Sequence, residues 1–133
     1  MSSLPKWNDT YKVGNVLLDE QHKRLLEISG KAYQLLTSTP VCAEEFHDLL
    51  NSFVETQREH FAAEERTLAR NGYPNLAAHI AEHDRFRAML AELQCSADVA
   101  ANGRAELLRV MVEFIGNHIL LTDMACKDYL KGR

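Results

Sequence analysis

The sequence predicts an all-α domain: an up-down-up-down four-helix bundle preceded by an extended N-terminal arm. Three observations carry that expectation. Apolar residues recur at spacings of three and four in four long stretches. Short breaks rich in Pro, Gly or small residues separate them: "TSTP" at 37–40, "NGYP" at 71–74 and "SADVAANG" at 96–103. No run alternates with the period of two that a half-buried strand requires. The 133 residues form one domain over 1–133, long enough to bury a core without covalent staples.

Residues 1–18 have no clean period and contain Pro5 and Gly14, which makes them the arm, with Trp7 as its anchor. From Asp19 the pattern turns helical, with Leu18, His22, Leu25, Ser29, Ala32 and Leu36 on one face. Pro40 disfavours helical geometry in the residue before it and suits the first turn of the next helix. The second helix then runs from Val41 to Arg70. Its inward stripe is Phe46, Leu49 or Leu50, Phe53, Gln57, His60, Glu64 and Leu68. Gly72 supplies its C-cap and Pro74 opens the third helix. That helix points Leu76, His79, His83, Phe86, Leu90 and Leu93 inward. After the loop ending at Gly103, the fourth carries Leu108, Met111, Ile115, His118 and Thr122 on one face. Connections this short make neighbouring helices antiparallel.

Composition excludes several function classes. A net charge of −4 and a pI near 5.8 give no basic surface for nucleic acid or an anionic membrane. "MSSLPKWNDTYKVGN" lacks the charged and apolar regions of a secretory signal, and "VMVEFIGNHILL" is interrupted by Glu113, Asn117 and His118. Cys42, Cys95 and Cys126 are far apart, odd in number and outside any CxxC pair, which points to free thiols in a reducing compartment. The expectation is a cytoplasmic protein. No extra apolar face is left over, so it is expected to be a monomer.

The histidines need a separate explanation. Of six, five fall on inward stripes: His22, His60, His79, His83 and His118. His47 follows inward Phe46 and is expected to face solvent. Residues four apart on a helix differ by about 40° and 6 Å, so His60 with Glu64, and His79 with His83, can each grip a common centre. Counted from the turns at about 1.5 Å per residue, all five imidazoles fall at one level of the bundle, with His22 the loosest match. A histidine on an apolar face commonly makes one satisfying hydrogen bond. Five at one level would instead leave nitrogens unpaired, at about 1–3 kcal/mol each. A metal centre accounts for them.

Five imidazoles and Glu64 exceed a four-ligand structural zinc site and suit iron, copper, nickel or manganese. Asp123 is the nearest second carboxylate. It lies five residues after His118, about 140° away on a regular helix. A local π-turn, which aligns positions i and i+5, would bring it in; so would loosened geometry near the helix end. Two metals bridged by both carboxylates and one water-derived oxygen, with five imidazoles to share, leave one coordination position open.

"DEQH" ending in His22 after "WNDTYKVGN", "HFAAEE" from His60, "HIAEH" from His79 and "HILLTD" from His118, in that order, resemble the hemerythrin family, specifically its single-domain bacterial members. Hemerythrins are themselves reference examples of the four-helix bundle, so this resemblance and the fold expectation are not independent. The resemblance implies a non-haem centre of two iron ions with an oxo or hydroxo bridge. His79, His83 and His118 would hold the six-coordinate iron, His22 and His60 the five-coordinate one, and Glu64 and Asp123 would bridge.

It further implies reversible O₂ binding for storage, transport or delivery to an oxygen-consuming enzyme, and no catalytic activity. The alternatives are an oxygen, redox or nitric-oxide sensor, and a di-iron oxidase or peroxidase. The latter type uses more carboxylates, in Glu-x-x-His pairs. Phe61, Leu25, Ile80, Phe86, Ile115 and Leu121 are the expected apolar wall, which would slow protonation and loss of peroxide, and with it irreversible oxidation.

Overall fold

A computed structural model describes residues 6–37, 43–95 and 101–132. A 3₁₀ turn at Asp9–Tyr11 precedes α1 (Val16–Thr37), α2 (Ala43–Arg70), α3 (Leu76–Cys95) and α4 (Ala101–Glu113). Beyond Glu113 the fourth rod continues as a π-helix over Phe114–Asp123, and α5 (Lys127–Leu130) closes the chain. Each long helix packs on its sequence neighbour and α4 returns to α1, completing the four-helix bundle. There is no strand among the described residues.

The first helix begins three residues before Asp19. Gly14 adopts φ +86°, Asn15 Oδ1 accepts the Leu18 N–H at 3.2 Å as an N-cap, and Asp19 Oδ1 accepts the Val13 N–H at 2.8 Å. The apolar pattern hid this start because Val16 and Leu17 are helical yet face solvent. Trp7 is half-buried against the main core, as the anchor role required.

Gly72, at φ +70°, ends α2. Its N–H reaches Ala69 O, and the Tyr73 N–H reaches Leu68 O at 3.0 Å, the paired bonds of a Schellman cap. The expected start of the second helix at Val41 and the Pro40 turn lie outside the described residues. The third helix starts at Leu76, two residues after Pro74. The expected loop to Gly103 is shorter, since Ala101–Gly103 already belong to α4.

The inward stripes of α1 and α2 are as expected, with Leu50 rather than Leu49 fully buried. Those of α3 hold in their middle, while Leu76 and Leu93 are half-buried. The fourth stripe needs correction. Leu107 is buried and Leu108 only half so; Val110, Phe114 and Ile119 also turn inward; Thr122 is half-buried while Asp123 is fully enclosed. The π-helix takes up one more residue per turn, so the inward position following His118 is 123 rather than 122.

Two apolar clusters result. The larger is built around Phe46, Phe53, Phe61, Phe86, Met111 and Phe114. The smaller joins Val13, Leu18, Ala63, Leu68, Cys126 and Leu130 at the other end. Backbone and side-chain bonds tie the arm to the C-terminal segment there: Gly132 N–H to Gly14 O at 2.8 Å, and Asn15 Nδ2 to Leu130 O at 3.0 Å. Between the two clusters lies a polar layer.

Candidate metal centre

His22, His60, Glu64, His83, His118 and Asp123 are fully buried in that layer, and His79 is 3% exposed. Helix spacing places four of them, since His60 with Glu64 and His79 with His83 stand one turn apart on α2 and α3. The π-helix places the last pair: His118 Nε2 lies 3.2 Å from Asp123 Oδ1, five residues on.

The carboxylates divide the imidazoles into two groups. Glu64 Oε1 faces the Nε2 atoms of His79, His83 and His118 at 2.5, 3.1 and 3.6 Å. Its Oε2 faces His60 at 3.0 Å and His22 at 3.7 Å. Asp123 repeats the division, with Oδ1 toward His118 and His79 (3.2 and 3.4 Å) and Oδ2 toward His22 and His60 (3.0 and 3.9 Å). Glu64, His79, His83, His118 and Asp123 thus surround one point, and His22, His60, Glu64 and Asp123 a second. All seven residues singled out in the sequence are brought together.

Three outward ring nitrogens have acceptors on other helices. His60 Nδ1 donates to Gln21 Oε1 at 2.9 Å, His83 Nδ1 to Glu65 Oε2 at 2.7 Å, and His118 Nδ1 to Glu82 Oε1 at 3.2 Å. The ligand set calls for acceptors of this kind, but sequence reasoning does not identify which residues they are. Their signal was adjacency: Gln21 precedes His22, Glu65 follows Glu64 and Glu82 precedes His83, each on the flank of a buried stripe. Thr122 braces Glu82 through its hydroxyl at 3.4 Å.

With Nδ1–H committed outward, Nε2 presents a lone pair inward. His60 Nε2, Glu64 Oε2 and Asp123 Oδ1 are buried without a hydrogen-bond partner. Buried lone pairs and carboxylates without donors call for cations, and imidazole with carboxylate is a donor set that iron takes readily. The residues fit a pair of such ions.

Without metal, protons must supply that positive charge. Burial opposes charge on His22, but the Asp123 and Glu64 carboxylates outweigh it and raise its pKa to about 9. The same contest lifts His118 to about 10 and His79 to about 12. Burial likewise works against ionising Glu64 and Asp123, and the surrounding imidazolium charge overcomes it, holding both carboxyls well below their usual range.

An apolar wall encloses the layer. Phe61 stacks on His83 with centroids 3.8 Å apart, and Phe114 lies parallel to His118 at 5.3 Å. Leu25, Phe61, Phe86 and Ile115 are buried as expected. Ile80 is half-buried, and Leu121 is 63% exposed, so it is not part of the wall. The π-helix turns Leu121 outward, and Phe114, which the stripe had omitted, takes an inner position. His47 stays apart from the cluster; it is half-buried against Phe46 rather than fully in solvent. Cys95 and Cys126 are free thiols, and Cys42 lies outside the described residues. No described helix is long and apolar enough to cross a membrane.

Comparison with known proteins agrees with this geometry. The family model described as "Hemerythrin HHE cation binding domain" matches residues 13–129. A bacteriohemerythrin of Stenotrophomonas maltophilia is 29% identical over 126 residues, covering 95% of this chain and 81% of the relative. One from Clostridium acetobutylicum is 30% identical, covering 88% and 94%. A myohemerythrin of Theromyzon tessulatum is 29% identical, covering 94% and 92%. A buried cation-ready layer in a four-helix bundle and a family match along nearly the whole length lead to one assignment: the chain belongs to the hemerythrin family.

Proposed function

We propose that this protein binds O₂ reversibly at a pair of iron ions, as a cytoplasmic, monomeric carrier or store supplying an oxygen-consuming enzyme. The observation that carries the reading is the division made by the two carboxylates: Glu64 turns one oxygen to His79, His83 and His118 and the other to His60 and His22, while Asp123 turns one to His118 and His79 and the other to His22 and His60. In this assignment His79, His83 and His118 would hold one iron, His22 and His60 the other, and Glu64 and Asp123 would be shared between them. With one imidazole fewer, the two-histidine position would be one donor short of the other, and a diatomic ligand would take its place there. Two ferrous ions held there would supply a coordination position for O₂ and the electrons for its reversible binding.

The protein's own groups keep the process reversible. Five neutral imidazoles against two carboxylates favour iron(II) over high-valent states. Gln21, Glu65 and Glu82 hold three of the rings at fixed tautomers, so Nε2 keeps its lone pair for the metal. Leu25, Phe61, Phe86, Phe114 and Ile115 exclude water and offer no proton donor, which denies bound oxygen the protons it needs to leave reduced.

The test is oxygen uptake by iron-loaded, anaerobically reduced protein. The proposal requires O₂ to be taken up and recovered intact on purging through repeated cycles. Release of peroxide or water in place of O₂ would make this an oxidase.

A further inference from the structure

Arg87, one turn beyond His83 on α3, touches none of the seven buried residues, yet two contacts join it to His83. Its Nη2 lies 2.7 Å from Glu65 Oε2, the same oxygen that accepts the His83 Nδ1–H at 2.7 Å. Its guanidinium carbon lies 5.1 Å from the centroid of Phe61, the ring stacked on His83. A bond to Asp84 Oδ1 at 2.8 Å fixes the guanidinium in this pose. Glu65 is only 22% exposed, so solvent screens the shared oxygen weakly.

The other outward contacts are built differently. Glu82, the acceptor for His118, has no Arg or Lys partner among the described residues and is met by the Thr122 hydroxyl. Gln21, the acceptor for His60, is neutral. Only the His83 contact combines a carboxylate with an arginine.

A carboxylate accepting Nδ1–H pushes electron density into the imidazole and strengthens its Nε2 as a donor. A guanidinium on the same oxygen draws that density back. We infer that Arg87 is a positioning residue that, by sharing Glu65 Oε2 with His83, keeps His83 a weaker donor and so favours the reduced state of the neighbouring metal. The inference rests on His83 being a ligand, as proposed above. Arg87 opposes oxidation of the centre without touching it.

The experiment measures the ferric/ferrous midpoint of iron-loaded Arg87→Met, Arg87→Lys, Glu65→Gln and the double variant Glu65→Gln/Arg87→Met. Iron per chain and thermal melting are followed in each. In parallel, zinc-loaded wild type and Arg87→Met are compared by histidine N–H NMR. Arg87→Met should favour the oxidised form by about tenfold, equivalent to about 59 mV for a one-electron couple. Arg87→Lys, which keeps the charge, should recover most of that shift, and Glu65→Gln should move the midpoint the other way. In the Glu65→Gln background the Arg87→Met shift should fall to about a third or less. The His83 Nδ1–H resonance should move downfield in Arg87→Met while that of His60 stays in place.

An unchanged midpoint in fully loaded Arg87→Met overturns the inference. So does an undiminished shift in the Glu65→Gln background, which would reduce Arg87 to a through-space charge. Equal shifts in the Met and Lys variants that track lowered melting would make it a packing residue and also overturn it. Retention of both irons after His83→Ala would bring down the ligand assignment itself, an outcome separable from the others.

Discussion

The Nε2 atoms of His83 and His118 face each other at 3.0 Å in a fully buried space. Glu65 and Glu82 hold a proton on each Nδ1, so with both rings neutral two lone pairs oppose one another. A shared cation resolves that opposition, and so does an added proton; an apolar neighbour does not. The rest of the centre follows the same logic.

Removing one of the two rings should release metal. His118→Ala should lose iron at the three-histidine position, weakening retention by about 100-fold or more, since even losing an outer partner of a ligand costs about 10–100-fold. Melting of the iron-loaded protein should fall with it. His47→Ala, outside the cluster, should alter neither. Elemental analysis and calorimetry of the two variants provide the comparison.

Metal and protons compete for the same nitrogens. His22, His79 and His118, with pKa values raised to about 9, 12 and 10, are protonated at neutral pH in the metal-free protein. A metal-bound imidazole is neutral, so loading near pH 7 should release protons, and apparent affinity should rise with pH. The metal-free protein should show the opposite trend. Raised histidine values contribute stability fully present below 6.5 and lost as pH climbs through about 9 and beyond. Lowered carboxylate values contribute stability present above the ordinary 3.8 to 4.5 and lost in acid. Its melting temperature should therefore peak between about pH 4.5 and 6.5. A melting temperature that keeps rising above pH 7 in chelator-treated protein would contradict this.

The α4 register can be tested by a pair of truncations. Leu107 is fully buried, so Leu107→Ala should cost about 2–5 kcal/mol. Leu108→Ala, at a half-buried position, should cost clearly less. Urea unfolding of both variants would measure the gap, and a larger loss at Leu108 would restore the stripe expected from sequence.

How much of this was legible beforehand depended on whether the signal was periodic. Leu18, His22, Leu25, Ser29, Ala32 and Leu36 repeat at regular helical spacing, and that alone located the buried face of α1. The first six ligand candidates came from the same periodicity. Asp123 did not, because its inward position depends on a π-helix that no spacing rule for α-helices contains; the i+5 offset from His118 was the only trace. The same irregularity misled the reading of Leu121 and Thr122. Gln21, Glu65 and Glu82 leave only adjacency to a buried stripe as a trace: each reaches a histidine on a different helix, and the sequence does not record side-chain reach across a bundle.

The dry wall carries its own prediction. Leu25 is fully buried beside the layer, one turn from His22, so Leu25→Gln would place a proton donor and water next to the two-histidine position. Oxidation of the oxygenated protein to the ferric form should speed up by about tenfold or more. Leu121→Gln, at a position 63% exposed, should leave the rate unchanged. Stopped-flow decay of the oxygenated absorption distinguishes them, and equal rates would remove the wall from the account.

The most direct measurement combines metal content with the optical spectrum of the anaerobic, reduced protein before and after O₂. Two irons per chain should be found, with a charge-transfer band that appears on oxygenation and disappears on purging over several cycles. A single metal ion per chain, or an iron pair whose spectrum ignores O₂, would contradict the account at its centre.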